Sequence, residues 1–164
     1  MSNKSSHLIR IALTAMLLVA PAFAQVTAEM TASKLAMEGR KETKVSASEA
    51  KPGDVIEYSV VYRNRDANVA RNVMATMPVP KGMEFLPKTA SPMEVMASLD
   101  GAHFAAVPLM RKVKQADGTE VEQMVPFSEY RFLRWSLGEL PANGSKSVSA
   151  RMRILSTPSV MARK

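Results

Sequence analysis

The chain has 164 residues, a formal net charge of +7 and no cysteine. That length suits one domain, and the missing cysteine excludes a disulfide framework and a lipid carried on an N-terminal thiol. With a single histidine, His103, beyond residue 7, a His/Cys metal set and a nucleophile–histidine triad both lack parts.

Residues 1–24 have the layout of a secretory signal peptide. Lys4 and Arg10 make a basic start, residues 11–20 (IALTAMLLVA) an apolar run, and Ala22-Phe23-Ala24 a small-x-small cleavage site. The apolar run is half of the roughly 20 residues that a spanning helix needs. Cleavage after Ala24 leaves a domain of residues 25–164, with no integral membrane span and no apolar tail at 160–164 (VMARK). The expected location is the periplasm or the exterior. Without Lys4 and Arg10 the domain holds 20 basic and 15 acidic residues, a net +5. Such a mild excess favours solubility and weak attraction to anionic lipid or polysaccharide. Exported proteins rarely meet nucleic acid, so no nucleic-acid partner is expected.

The domain opens with Val26, Ala28, Met30 and Ala32 alternating with Thr27, Glu29, Thr31 and Ser33. The apolar phase then moves to Leu35 and Met37. A one-residue slip reverses every side chain, so two short strands joined by a bulge near Ser33-Lys34 are predicted, passing from one sheet to the other. Residues 39–50 are polar and read as loop, with a short piece around Val45.

Residues 51–85 are the most regular stretch. The turn Lys51-Pro52-Gly53-Asp54 launches a strand with Ile56, Tyr58, Val60 and Tyr62 on one face and Glu57, Ser59 and Arg63 on the other. Asn64-Arg65-Asp66 ends it. A second strand runs through Val73, Ala75 and Met77 and is closed by Pro78 and Pro80. Lys81-Gly82 turns into a short strand at 83–86. Residues 93–99 and 103–107 read as a tight hairpin about Asp100-Gly101, and 109–114 and 119–124 as another about Asp117-Gly118. These two hairpins, within 93–125, are expected to form an excursion from the main sheets.

The closing segment alternates again. Leu133, Trp135 and Leu137 share one face, with Tyr130, Phe132 and Arg134 on the other. After Pro141-Ala142-Asn143-Gly144, Val148, Ala150, Met152 and Ile154 alternate with Ser147, Ser149, Arg151 and Arg153, and Pro158 closes the pattern. No long 3.6-residue stripe appears. Eight or nine short strands between turns predict an all-β, Greek-key sandwich in a single domain.

Several of these residues resemble a bacterial conserved-repeat β-sandwich family, domain of unknown function 11. Pro52-Gly53-Asp54, Tyr58 and Asn64 match its opening strand; Asn72-Val73, Met77-Pro78, Gly82 and Phe85 its central turn; residues 134–140 (RWSLGEL) with Asn143-Gly144 its closing hairpin. The resemblance spans residues 35–154. Ala75 stands where the family usually carries an acid, so no role of that acid carries over. The family tends to occur in tandem copies, whereas this chain has one copy and no internal repeat. The resemblance implies an immunoglobulin-like fold in surface or envelope proteins, and no activity.

Candidate chemistry is sparse. Met74/Met77 and Met93/Met96 are M-x-x-M pairs of the kind that raises copper(I), but residues three apart on a strand point to opposite faces. Methionine as core filler is the simpler reading. Glu120 and Glu122 beside a turn, like Glu57, read as solvated charge, and the four aspartates stand singly at turns. Arg134, Arg151 and Arg153 would form one basic stripe if the last two strands pair as a hairpin, able to hold phosphate or uronate groups. Trp135 is expected in the core near Tyr58 and Met152. No catalytic, cofactor-binding or metal residue is assigned, and no cofactor. The expectation is a non-enzymatic structural or interaction module of the cell envelope. It would act through sheet edges and loops, on other envelope proteins or on itself, with residues 26–32 able to exchange as a strand. The alternative is a periplasmic small-ligand or soft-metal carrier.

Overall fold

The structure, a computed structural model, describes residues 26–156. The expected signal peptide at 1–24, Pro158 and the chain end at 160–164 lie outside the described residues.

The described chain is all-β, with antiparallel pairing throughout and no α-helix. Its strands are β1 (Val26–Glu38), β2 (Lys41–Ser46), β3 (Val55–Asn64), β4 (Ala70–Pro78), β5 (Met83–Phe85), β6 (Met96–Ser98), β7 (Ala105–Ala106), β8 (Met110–Lys114), β9 (Glu120–Met124), β10 (Phe132–Leu140) and β11 (Ser145–Ile154); a single 3₁₀ turn covers Phe127–Glu129. One sheet has the order β2-β1-β3-β11-β5 and a second β4-β10-β6-β7, while β8 and β9 pair apart from both.

Alternation decides which side chains enter the core. On β3, Ile56, Val60 and Tyr62 are buried, and the register sets Val148 of β11 beside Val60 and Met152 beside Ile56. From the second sheet come Ala75 and Met77 of β4 and Leu133, Trp135 and Leu137 of β10. These two apolar faces bury one another, which is the dominant stabilising term for such a domain. Trp135 lies in the same core as Met152 and Tyr58, and its indole N–H donates to the carbonyl of Pro92 at 2.8 Å.

The first strand departs from expectation. β1 is one continuous strand in one sheet, not two strands crossing between sheets. It pairs with β3 from Val26 to Lys34 and with β2 from Ser33 to Glu38. The phase slip at Ser33-Lys34 therefore marks a change of neighbour. The polar stretch read as loop contains β2, which returns after a two-residue turn opened by Gly39 at φ 64°. No β2 residue is fully buried, so apolar periodicity cannot reveal the strand. What holds it is the ladder, Thr43 Oγ1 on the carbonyl of Ala36, and charges reaching β3 and β11.

Three further corrections concern the second half. The strand expected at 93–99 is only Met96–Ser98, and its return is only Ala105–Ala106. That hairpin belongs to the second sheet, through the pairing of β6 with β10. Its loop is six residues, 99–104, organised by Asp100, whose Oδ1 accepts the N–H of Ala102 and His103. Only β8–β9 forms an excursion. Tyr130, expected on the outer face with Phe132 and Arg134, is fully buried: it caps the 3₁₀ turn ahead of β10 and so lies outside the alternation of that strand. It stacks on Phe85 at 6.3 Å and meets Phe127 edge-on at 5.3 Å.

The closing strands, finally, do not form a hairpin. β10 lies in the second sheet beside β4, and β11 lies in the first between β3 and β5. An immunoglobulin-like order keeps the final two strands in one sheet. Here the polypeptide passes from one sheet to the other at 141–144, over the end of the core, since the slots beside β3 and beside β4 belong to different layers.

Candidate functional site

Two features of the surface follow from this architecture: an open strand edge and an apolar groove.

The edge belongs to β1. Its register sets Ala28, Met30 and Ala32 beside Tyr62, Val60 and Tyr58, on the face of the sheet that is buried further along. The opposing sheet, however, ends at β4, which faces β3; the Tyr62 hydroxyl donates to the Thr76 carbonyl at 3.4 Å. Nothing among the described residues covers β1 beyond it. Residues 28–32 are exposed on both faces, with Met30 at 46 %. On the side away from β3, β2 pairs only from Ser33 onward, so among the described residues no strand neighbours the backbone of 26–32 there. One acid, Glu29, is the sole charge in that run, and proline is absent.

The edge of β4 is different. The Val79 N–H bonds to Arg131 across the ladder, so by alternation the backbone of Thr76 and Pro78 points to the open side. There Tyr62 caps the Thr76 carbonyl and Pro78 has no donor. Proline and capped groups are the usual means of blunting an edge. β4 is blunted at 76–78, and residues 26–32 have neither device.

The groove has a volume of about 750 Å³ and runs from the outer face of β10 past residues 93–96 to the end of β5. Met93 and Met96 both line it, with Met124 of β9 and Phe127 of the 3₁₀ turn. The strand rule that sends residues three apart to opposite faces fails for Met93 and Met96, because Met93 lies outside β6. It holds for Met74 and Met77, of which the first is exposed and the second fully buried on β4. The 93–125 region thus supplies much of a concave wall, which no local sequence signal reveals.

The remaining candidates are dispersed. The basic stripe does not form: Arg134 is on the second sheet, while Arg151 and Arg153 are on the first. Arg151 pairs with Glu42 at 2.7 Å and Glu57 at 3.2 Å, and Arg153 with Glu84 at 3.1 Å. Burial pushes the Glu57 carboxyl up, but hydrogen bonds from Lys44 and Arg151 outweigh it and hold it below the ordinary range. Glu120 and Glu122 are exposed. His103 is exposed and its Nδ1 lies 2.7 Å from Asp100 Oδ2. Asp54, Asp66, Asp100 and Asp117 each serve their own turn, taking N–H groups two or three residues away. Among the described residues no cluster of three His, Asp or Glu could hold a metal ion. No described helix is long and apolar enough to cross a membrane.

Comparison with protein-family models, with curated proteins and with solved structures finds no match for this chain.

Proposed function

We propose that the protein is an exported, non-enzymatic interaction module of the bacterial cell envelope, and that it associates through the open edge of β1. The observation that carries this is the contrast between two edges: among the described residues, 26–32 have no strand on one side and are largely uncovered, whereas β4 is blunted at 76–78. A strand added there gains a backbone ladder and covers Met30 and its apolar neighbours. The favoured partner is a second copy of the chain or a related envelope protein. Export, and with it an envelope setting, is supported by the layout of residues 1–24. Within that reading the sandwich is of Greek-key type. The order β3-β11-β5 facing β4-β10-β6 favours a double Greek key over an immunoglobulin-like one.

Light scattering of residues 25–164 across a concentration series tests the association. Mass that grows with concentration, and returns to the monomer value on deleting residues 26–32, is the expected result. A monomer at every concentration overturns self-association through β1.

A further inference from the structure

Independently of the β1 edge, we propose that the groove beside β10 binds a free single-chain amphiphile with one carboxylate, its apolar tail along the methionines and its head on Arg134.

Its volume of about 750 Å³ lies within the roughly 300–1,000 Å³ of small-ligand sites, and its lining is mostly apolar with a few convergent polar groups. Met93 and Met96 come from one short segment and Met124 from β9, and Phe127 joins them. Thioether side chains are unbranched and polarisable, so three of them accommodate a flexible alkyl chain without a fixed shape.

Arg134 supplies the charge. Its guanidinium sits 3.5 Å over the centroid of the Phe104 ring, and its Nε donates to Thr76 Oγ1 at 3.1 Å. These two contacts hold the plane in place while engaging only one of its three nitrogens. Among the described residues no carboxylate lies within 4.0 Å of it, as also for Arg40, Arg63, Arg65 and Arg131, but of these arginines Arg134 is the one that lines the groove. A partly buried arginine whose guanidinium is held in place, with no carboxylate partner among the described residues, is suited to receive a carboxylate through two N–H groups. Lys88 lines the same groove and adds a second cation, while Glu94, also lining it, disfavours a doubly charged head. An added peptide strand fits less well, since the adjoining sheet edge, β7, is only two residues long.

The test uses the purified protein with methionine methyl groups labelled for NMR, titrated with dodecanoate below its micellar concentration and, separately, with dodecanol. Saturable dodecanoate binding that shifts Met93, Met96 and Met124 but not Met30 and Met37 is expected. Arg134→Gln should weaken dodecanoate by about tenfold or more and leave dodecanol unchanged. Ala106→Trp, a substitution at an exposed groove position, should abolish both without unfolding the protein. Absence of saturable binding, shifts confined to Met30 and Met37, or equal affinity for acid and alcohol overturns the proposal. So do groove signals that move with protein concentration alone, since a second copy would then be the occupant.

Discussion

Asn64, at the end of β3, donates its side-chain amide to the carbonyl of Leu140, at the end of β10, at 3.1 Å. The same Nδ2 reaches Pro141 at 3.0 Å and Asn68 at 2.7 Å, while Oδ1 accepts the N–H of Asp66. Asn64 is almost fully buried, and β3 and β10 belong to opposite sheets, so one side chain ties the two layers where the chain crosses between them. Asn64→Ala leaves buried carbonyls without their donor. A loss of about 1–3 kcal/mol is expected in urea unfolding. An unchanged midpoint would mean that the crossover at 141–144 holds without it.

Tyr130 ties the start of the β8–β9 excursion to the core. Its buried hydroxyl accepts the N–H of Leu109 at 2.7 Å, and burial pushes the phenol above its ordinary pKa. Tyr130→Phe keeps the ring stack on Phe85 and removes only the acceptor. The expected cost is about 1–3 kcal/mol, with faster amide exchange at Leu109. Wild-type protection at Leu109 would show that another group takes that N–H.

Two methionines separate edge from core. Met152 is fully buried on β11 and Met30 is half-exposed on β1. Met152→Ala is expected to cost about 2–5 kcal/mol, because a cavity opens under Trp135 and Phe85. Met30→Lys is expected to stay within about 0.5 kcal/mol of wild type in the monomer and to suppress association. If Met30→Lys destabilises the monomer as strongly as Met152→Ala, β1 is covered in solution.

Asp100 and His103 titrate as a pair. The hydrogen bond and charge of Asp100 raise the His103 pKa above its ordinary value. Hydrogen bonds from the His103 ring and from the backbone of His103 and Ala102 hold Asp100 well below the carboxylate range. The raised group contributes stability that is complete below about pH 6.5 and fades as pH rises through its folded value; the lowered one contributes above about pH 4 and fades as pH falls through its own. Loop 99–104 is therefore firmest between roughly pH 4 and 6.5. In an NMR titration, Asp100→Asn should return the His103 midpoint to about 6.5. A midpoint that does not move would remove the pairing.

Where the reading of the chain succeeded, local chemistry was enough. Alternation in 55–64 and 145–154 placed β3 and β11 and named their buried apolar residues, though not Asn64, and Asp117-Gly118 marked a turn that closes β8 onto β9. It failed at β2, whose polar residues have no buried face to report, and at Tyr130, where alternation was extended past the start of β10. The apolar pattern of β1 was visible, but a pattern states which residues share a face and not whether anything covers it.

The sequence by itself determined that this protein is built of strands, where most of them lie and which side chains they turn inward, because period-two burial and turn chemistry act over a few residues. Only the tertiary structure decided that β10 and β11 part into different sheets, that Arg134 stands apart from Arg151 and Arg153, and that β1 overhangs the layer opposite. Those outcomes depend on which strand becomes whose neighbour. That choice is made by the packing of the whole core, across separations of dozens of residues, and no local pattern encodes it.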